Sequence, residues 1–168
     1  MPVRFCLIAL FALGVLACQT PPDYPDEPVI EFVRMSKNTI EQGTGAADTI
    51  RVTFSFTDGD GDLGRSEDSD QLDIFLTDLR TGTPADNYRI PEIPPLGASN
   101  GIRGEVTFNL FQTCCIFPQG IPLPCEPNPA NSITDFPQDT VVYELFIVDR
   151  AGNESNRIRT EAIFVQCN

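Results

Sequence analysis

The chain has 168 residues, with 24 acidic side chains against 11 basic ones and a formal charge of −13. Such a balance repels nucleic acid and bare anionic membrane, so neither is expected as a direct partner. With no histidine and no tryptophan, the chain excludes Ser-His-Asp and Cys-His catalysis and offers no imidazole to a metal.

The first element is an apolar run from Phe5 to Leu16, preceded by Arg4. It is too short to cross a bilayer comfortably and has the length of a signal-peptide core. It ends in Val15-Leu16-Ala17-Cys18, which resembles the lipobox of a bacterial lipoprotein signal, although Leu16 is larger than that pattern prefers. The resemblance implies that residues 1–17 are removed and that Cys18 is diacylated and becomes the mature N-terminus. The mature chain then loses Arg4 and no acid. Residues 18–28, with Pro21, Pro22, Pro25 and Pro28 among acidic and polar side chains, read as a semi-extended tether. At about 3.1 Å per residue it reaches roughly 30 Å. Asp23, Asp26 and Glu27 behind the cysteine read equally as a solvated linker or as an export signal.

From Val29 on, residues 29–168 read as a single domain of strands. Val29–Ser36 is the first, and Lys37–Asp48 a turn-rich connection. Thr49–Phe56 alternates, with Ile50, Val52, Phe54 and Phe56 on one face, the period of a half-buried strand. Next comes Thr57-Asp58-Gly59-Asp60-Gly61-Asp62-Leu63-Gly64, a turn with carboxylates on alternate residues. Gln71–Leu79 is a third strand with Leu72, Ile74 and Leu76 inward. Thr81–Asn100 is proline-broken, with at most a short edge strand around Tyr88–Ile90. Gly101–Phe111, Asp139–Val148 and Arg157–Cys167 complete the set, the last two joined by Asp149-Arg150-Ala151-Gly152-Asn153. With no helical period, about seven strands divided by turn signals predict an all-β, antiparallel β-sandwich.

The loop 112–138 has no pattern of its own and carries Cys114, Cys115 and Cys125. A loop of this length in a compact domain is normally pinned or functional. With Cys6 in the signal and Cys18 lipidated, those three and Cys167 remain, an even count that reads as two disulfides in an exported chain. Adjacent cysteines do not match zinc-ligand spacing, and bridging them to each other is strained. Cys114 and Cys115 are therefore expected to pair outward, one with Cys125 and one with Cys167, leaving no free thiol in the mature protein.

Two motifs carry a second resemblance. Val52-Thr53-Phe54-Ser55-Phe56-Thr57-Asp58-Gly59-Asp60-Gly61-Asp62-Leu63-Gly64 and Val148-Asp149-Arg150-Ala151-Gly152-Asn153-Glu154-Ser155-Asn156 together resemble the immunoglobulin-like lipoproteins of Bacteroidota-type bacteria. The resemblance implies an immunoglobulin-like sandwich held at the outer membrane, facing the periplasm or the cell surface, and implies no activity. In that fold the loops after the second and the penultimate strands share one pole. Asp58, Asp60 and Asp62 are then expected beside Asp149 and Asn153, with the tether leaving nearby and the cysteines at the opposite pole.

Alternate carboxylates suit a hard cation such as Ca²⁺, but this is not an EF-hand: position six is Leu63 rather than glycine, and position twelve is Ser69 rather than glutamate. The competing reading is an Asp/Gly turn held by side chain-to-backbone hydrogen bonds with Leu63 packed beneath it. The acids crowd one loop with none placed across a cleft, as a glycosidase requires, and no phosphate loop or serine-nucleophile motif occurs; no enzyme is expected. The leading expectation is a lipid-anchored binding or scaffolding module with an envelope protein partner. The alternative is a carbohydrate-binding accessory lipoprotein of a nutrient-uptake system, for which Tyr24, Tyr88 and Tyr143 are the available tyrosines.

Overall fold

The computed structural model describes residues 23–94, 101–117, 125 and 136–167. The expected signal peptide and Cys18 lie outside the described residues, as does most of the cysteine loop. Those described form an all-β sandwich without a helix.

One sheet is β1 (Val29–Met35), β3 (Ile50–Asp58) and β6 (Ile102–Leu110), with β3 central and both pairings antiparallel. The alternation of β3 is what its burial obeys: Ile50, Val52, Phe54 and Phe56 are all buried. β3 and β6 pair without interruption from Ile50↔Leu110 to Asp58↔Ile102. In β1 the register shifts between Phe32 and Arg34, which leaves Val33 bulged and exposed.

The facing layer holds β5 (Thr83–Tyr88), β4 (Ile74–Asp78), β8 (Tyr143–Ile147) and β9 (Ile158–Arg159) in that order. A separate three-stranded sheet holds β7 (Gln138–Val141), β10 (Ile163–Gln166) and β2 (Thr39–Glu41) in that order, with β7 leading along the chain into β8 and β9 into β10. β7 and β8 are the expected Asp139–Val148 strand broken at Val142, and β9 and β10 the expected Arg157–Cys167 strand broken at Thr160. Thr160 donates its N–H to Tyr143 O at 2.9 Å and accepts from Tyr143 N at its hydroxyl, 3.0 Å. A side chain thus stands in for one rung of the ladder.

Three elements depart from expectation. Residues 37–48 contain β2, which runs parallel to β10 with Ile40 opposite Val165. Three residues carry no readable period; β2 is a strand because the chain crosses to the facing layer and meets the open edge of β10. The edge strand is Thr83–Tyr88 rather than Tyr88–Ile90, and Pro84 fits there because β5 pairs on one side only. The strand expected from Gln71 begins at Ile74, and Leu72 is only half-buried while Asp73 is buried.

At the pole away from the β3–β4 turn, Cys114 pairs with Cys125 and Cys115 with Cys167. Both cysteines pair outward, as expected, and the fold decides which goes where. Arg80 holds the start of this loop: it bonds Asp78 and Asp139, each at 2.6 Å, and Cys114 O at 3.1 Å.

Candidate metal centre

The β3–β4 turn begins where β3 stops. Gly61 and Gly64 adopt left-handed φ values of 72° and 81°, which side chains disfavour. At Gly64 a Cβ would also stand 2.3 Å from Pro91 O. Between them Leu63 is completely buried, the apolar plug expected beneath the turn. Its carbonyl accepts from Ile93 N.

Arg65 holds the turn against its neighbours through one ion pair and one hydrogen bond to a backbone carbonyl, both part-buried. Arg65 Nε donates to Asp73 Oδ1 at 2.9 Å, and Arg65 Nη2 to Asp149 O at 2.6 Å. Asp73 Oδ2 accepts from Ile90 N at 2.8 Å. Burial pushes the Asp73 carboxyl up, against the opposing pull of the Ile90 N–H and Arg65. Neither Arg65 nor Asp73 stood out in the sequence: with Leu72, Ile74 and Leu76 read as inward, Asp73 falls on the outward face, and nothing local marks it as buried.

The β8–β9 turn is built on Asp149. Its Oδ1 accepts from Gly152 N and Asn153 N at 2.7 and 2.8 Å, and its Oδ2 from Asn153 Nδ2 at 2.9 Å. Gly152 has φ 93°. Asn153 therefore spends its side-chain amide on orienting Asp149.

The fold brings the two turns together as the pole geometry anticipated. Carboxylate oxygens of Asp58, Asp60, Asp62 and Asp149 all lie within 4.8 Å of one another. Asp58 and Asp149 are fully buried, Asp62 is intermediate and Asp60 exposed. Asp58 Oδ2 accepts from Asp62 N at 3.0 Å. Asp58 Oδ1 and Asp62 Oδ1 are buried and have no hydrogen-bond partner. Among the described residues no ion pair reaches any of the four; Arg150 instead bonds Gly64 O and pairs with Glu92.

The electrostatic consequence is direct. Burial first, then the charges of Asp60, Asp62 and Asp149, push Asp58 up to about 7 despite the Asp62 N–H. Asp62 is raised as well, by burial and then by Asp149 and Asp60. A cluster of four carboxylates offers only hard oxygen donors and could hold a metal ion.

The remaining predicted features lie elsewhere. Tyr143 is buried, and Tyr88 packs against Phe108 and Phe111 at centroid distances of 4.7 and 6.2 Å. These two rings belong to the core and its margin and form no open platform. Comparison with known families, curated proteins and solved structures returned no match.

Proposed function

We propose that this chain is a non-catalytic, lipid-anchored immunoglobulin-like module of the outer membrane that binds or scaffolds an envelope protein partner, with a Ca²⁺ site at the pole formed by the β3–β4 and β8–β9 turns. One observation carries the cation reading. Asp58 and Asp62 each keep a buried carboxylate oxygen without a hydrogen-bond partner, inside a four-carboxylate cluster. Burying an unpaired carboxylate is costly, and the group is relieved by protonation or by a cation.

Four carboxylates whose oxygens lie within 4.8 Å of one another suit a hard cation, and Ca²⁺ is proposed because it takes several carboxylate oxygens directly where Mg²⁺ keeps more of its water. The anchor rests on the lipobox, and the envelope role on the motif resemblance and the acidic tether.

Calorimetric titration with Ca²⁺ tests the site. The wild type is expected to bind, and Asp60→Asn/Asp62→Asn to show no heat; an absence of binding in the wild type removes the metal reading. Fatty-acid labelling tests the anchor, with label expected on the wild type and lost in Cys18→Ser.

A further inference from the structure

The described end of the tether lies directly on the acidic pole. Gly59, between Asp58 and Asp60, donates its N–H to Pro25 O at 2.8 Å. A Cβ at Gly59 would stand 2.3 Å from Tyr24 O and 2.7 Å from Pro25 O. Gly59 does not have a left-handed φ, so backbone conformation does not demand glycine here; the close approach of the tether does. Gly101 repeats the device from the other side. A Cβ there would stand 2.7 Å from Asp58 O and 2.8 Å from Tyr24 Cδ2.

The second loop grips the chain a few residues on. Asn156 accepts from Ile30 N at 2.8 Å and donates to Ile30 O at 2.9 Å. This two-point clamp holds β1 just beyond the tether. The same two loops that carry the acidic cluster therefore hold segment 24–30, one at each end.

Without an ion, four converging carboxylates press the two turns apart. With one bound, the turns share a single centre and the surface that receives segment 24–30 is fixed. Resting on the cation reading above, we infer that the bound cation is the latch of the joint between tether and sandwich. Occupied, it docks segment 24–30 on the pole and fixes how the domain stands relative to its anchor; vacant, it releases the joint. The coupling is reciprocal: docking of the segment also tightens cation binding.

Amide hydrogen exchange of the full-length protein in detergent, in EDTA and in Ca²⁺, tests this. Two amides report on the joint: Gly59 N–H, bonded to Pro25 O, and Ile30 N–H, bonded to Asn156. Both are expected to slow in Ca²⁺ by about 5–150-fold, the usual range of such coupling. The variant Gly59→Ala keeps every carboxylate and displaces the tether. It is expected still to bind Ca²⁺ by calorimetry, but more weakly by the same coupling factor, and to lose the Ca²⁺ protection at Ile30. Wild-type protein that binds Ca²⁺ by calorimetry, yet shows unchanged exchange at both amides, overturns the latch and leaves the metal site standing. Protein that binds no Ca²⁺ overturns both. Ile30 remaining as protected by Ca²⁺ in Gly59→Ala as in wild type also overturns the latch.

Discussion

Replacing Asp58 by asparagine isolates the cost of the acidic pole. Asp58 is fully buried, and its carboxyl sits at about 7 against an ordinary value of 3.8. The folded value is raised, so the stability tied to this group is fully present below 3.8 and is lost as pH climbs through about 7. About three units at roughly 1.4 kcal/mol each put the full penalty of ionisation near 4 kcal/mol. Between pH 5 and pH 8 the linkage integral takes roughly 2–3 kcal/mol of that. Urea denaturation followed by circular dichroism, in EDTA at a series of pH values, measures it. The wild type should lose about 2–3 kcal/mol across that interval relative to Asp58→Asn, whose amide keeps the shape without the charge. At pH 8 in EDTA the variant should be the more stable protein. Ca²⁺ at a hundred times its dissociation constant should return about 2.7 kcal/mol to the wild type and nothing to the variant. Parallel pH profiles for the two proteins in EDTA would refute the reasoning, because Asp58 would then ionise in the fold without penalty.

Replacing the Arg65 guanidinium by an apolar chain of similar length in Arg65→Met leaves Asp73 buried without its cation, and urea unfolding should show a loss of about 3–5 kcal/mol; a change within about 0.5 kcal/mol would mean that Asp73 is held adequately by Ile90 N alone. Leu63→Ala empties a fully buried site beneath the turn, with an expected cost of about 2–5 kcal/mol by the same assay. Cys115 and Cys167 are 52 residues apart and Cys114 and Cys125 are 11 apart. On loop-closure entropy the first bridge stabilises by about 4 kcal/mol and the second by about 3 kcal/mol. Serine pairs compared by thermal unfolding should rank in that order, and the reverse ranking would point to structure retained in the reduced chain.

The elements that could be read from the sequence are those whose signal is local. Ile50, Val52, Phe54 and Phe56 alternate, and that alternation needs only a buried face to become β3. The Asp/Gly turn after β3 and Leu63 as the plug beneath it are short-range chemistry, and they stand where the residue pattern puts them. The outward pairing of Cys114 and Cys115 was equally legible, since a bridge between neighbours is strained in any fold. The metal reading and the turn-chemistry reading had been set against each other. In the structure the turn's hydrogen bonds and the carboxylate cluster coexist, with Asp149 serving as the cap of one turn and as a member of the cluster.

What tertiary structure alone decided is what depends on distant partners. β2 exists because β10 presents an open edge to it, and three residues around Ile40 hold no period that could announce that. The choice of Cys125 for Cys114 and of Cys167 for Cys115 follows from where the strands end, not from spacing. Asp73 is buried because Arg65 and Ile90 N meet it there, so an acid stands beside an apolar strand for reasons visible only in three dimensions. The four carboxylates come from two turns nearly ninety residues apart in sequence, and no local property of either turn fixes the distance between them. The building units were legible in the residues, because strand period, turn chemistry and disulfide strain act over a few residues. The fold decided which units touch, because pairing and burial are settled only when the whole chain has closed on itself.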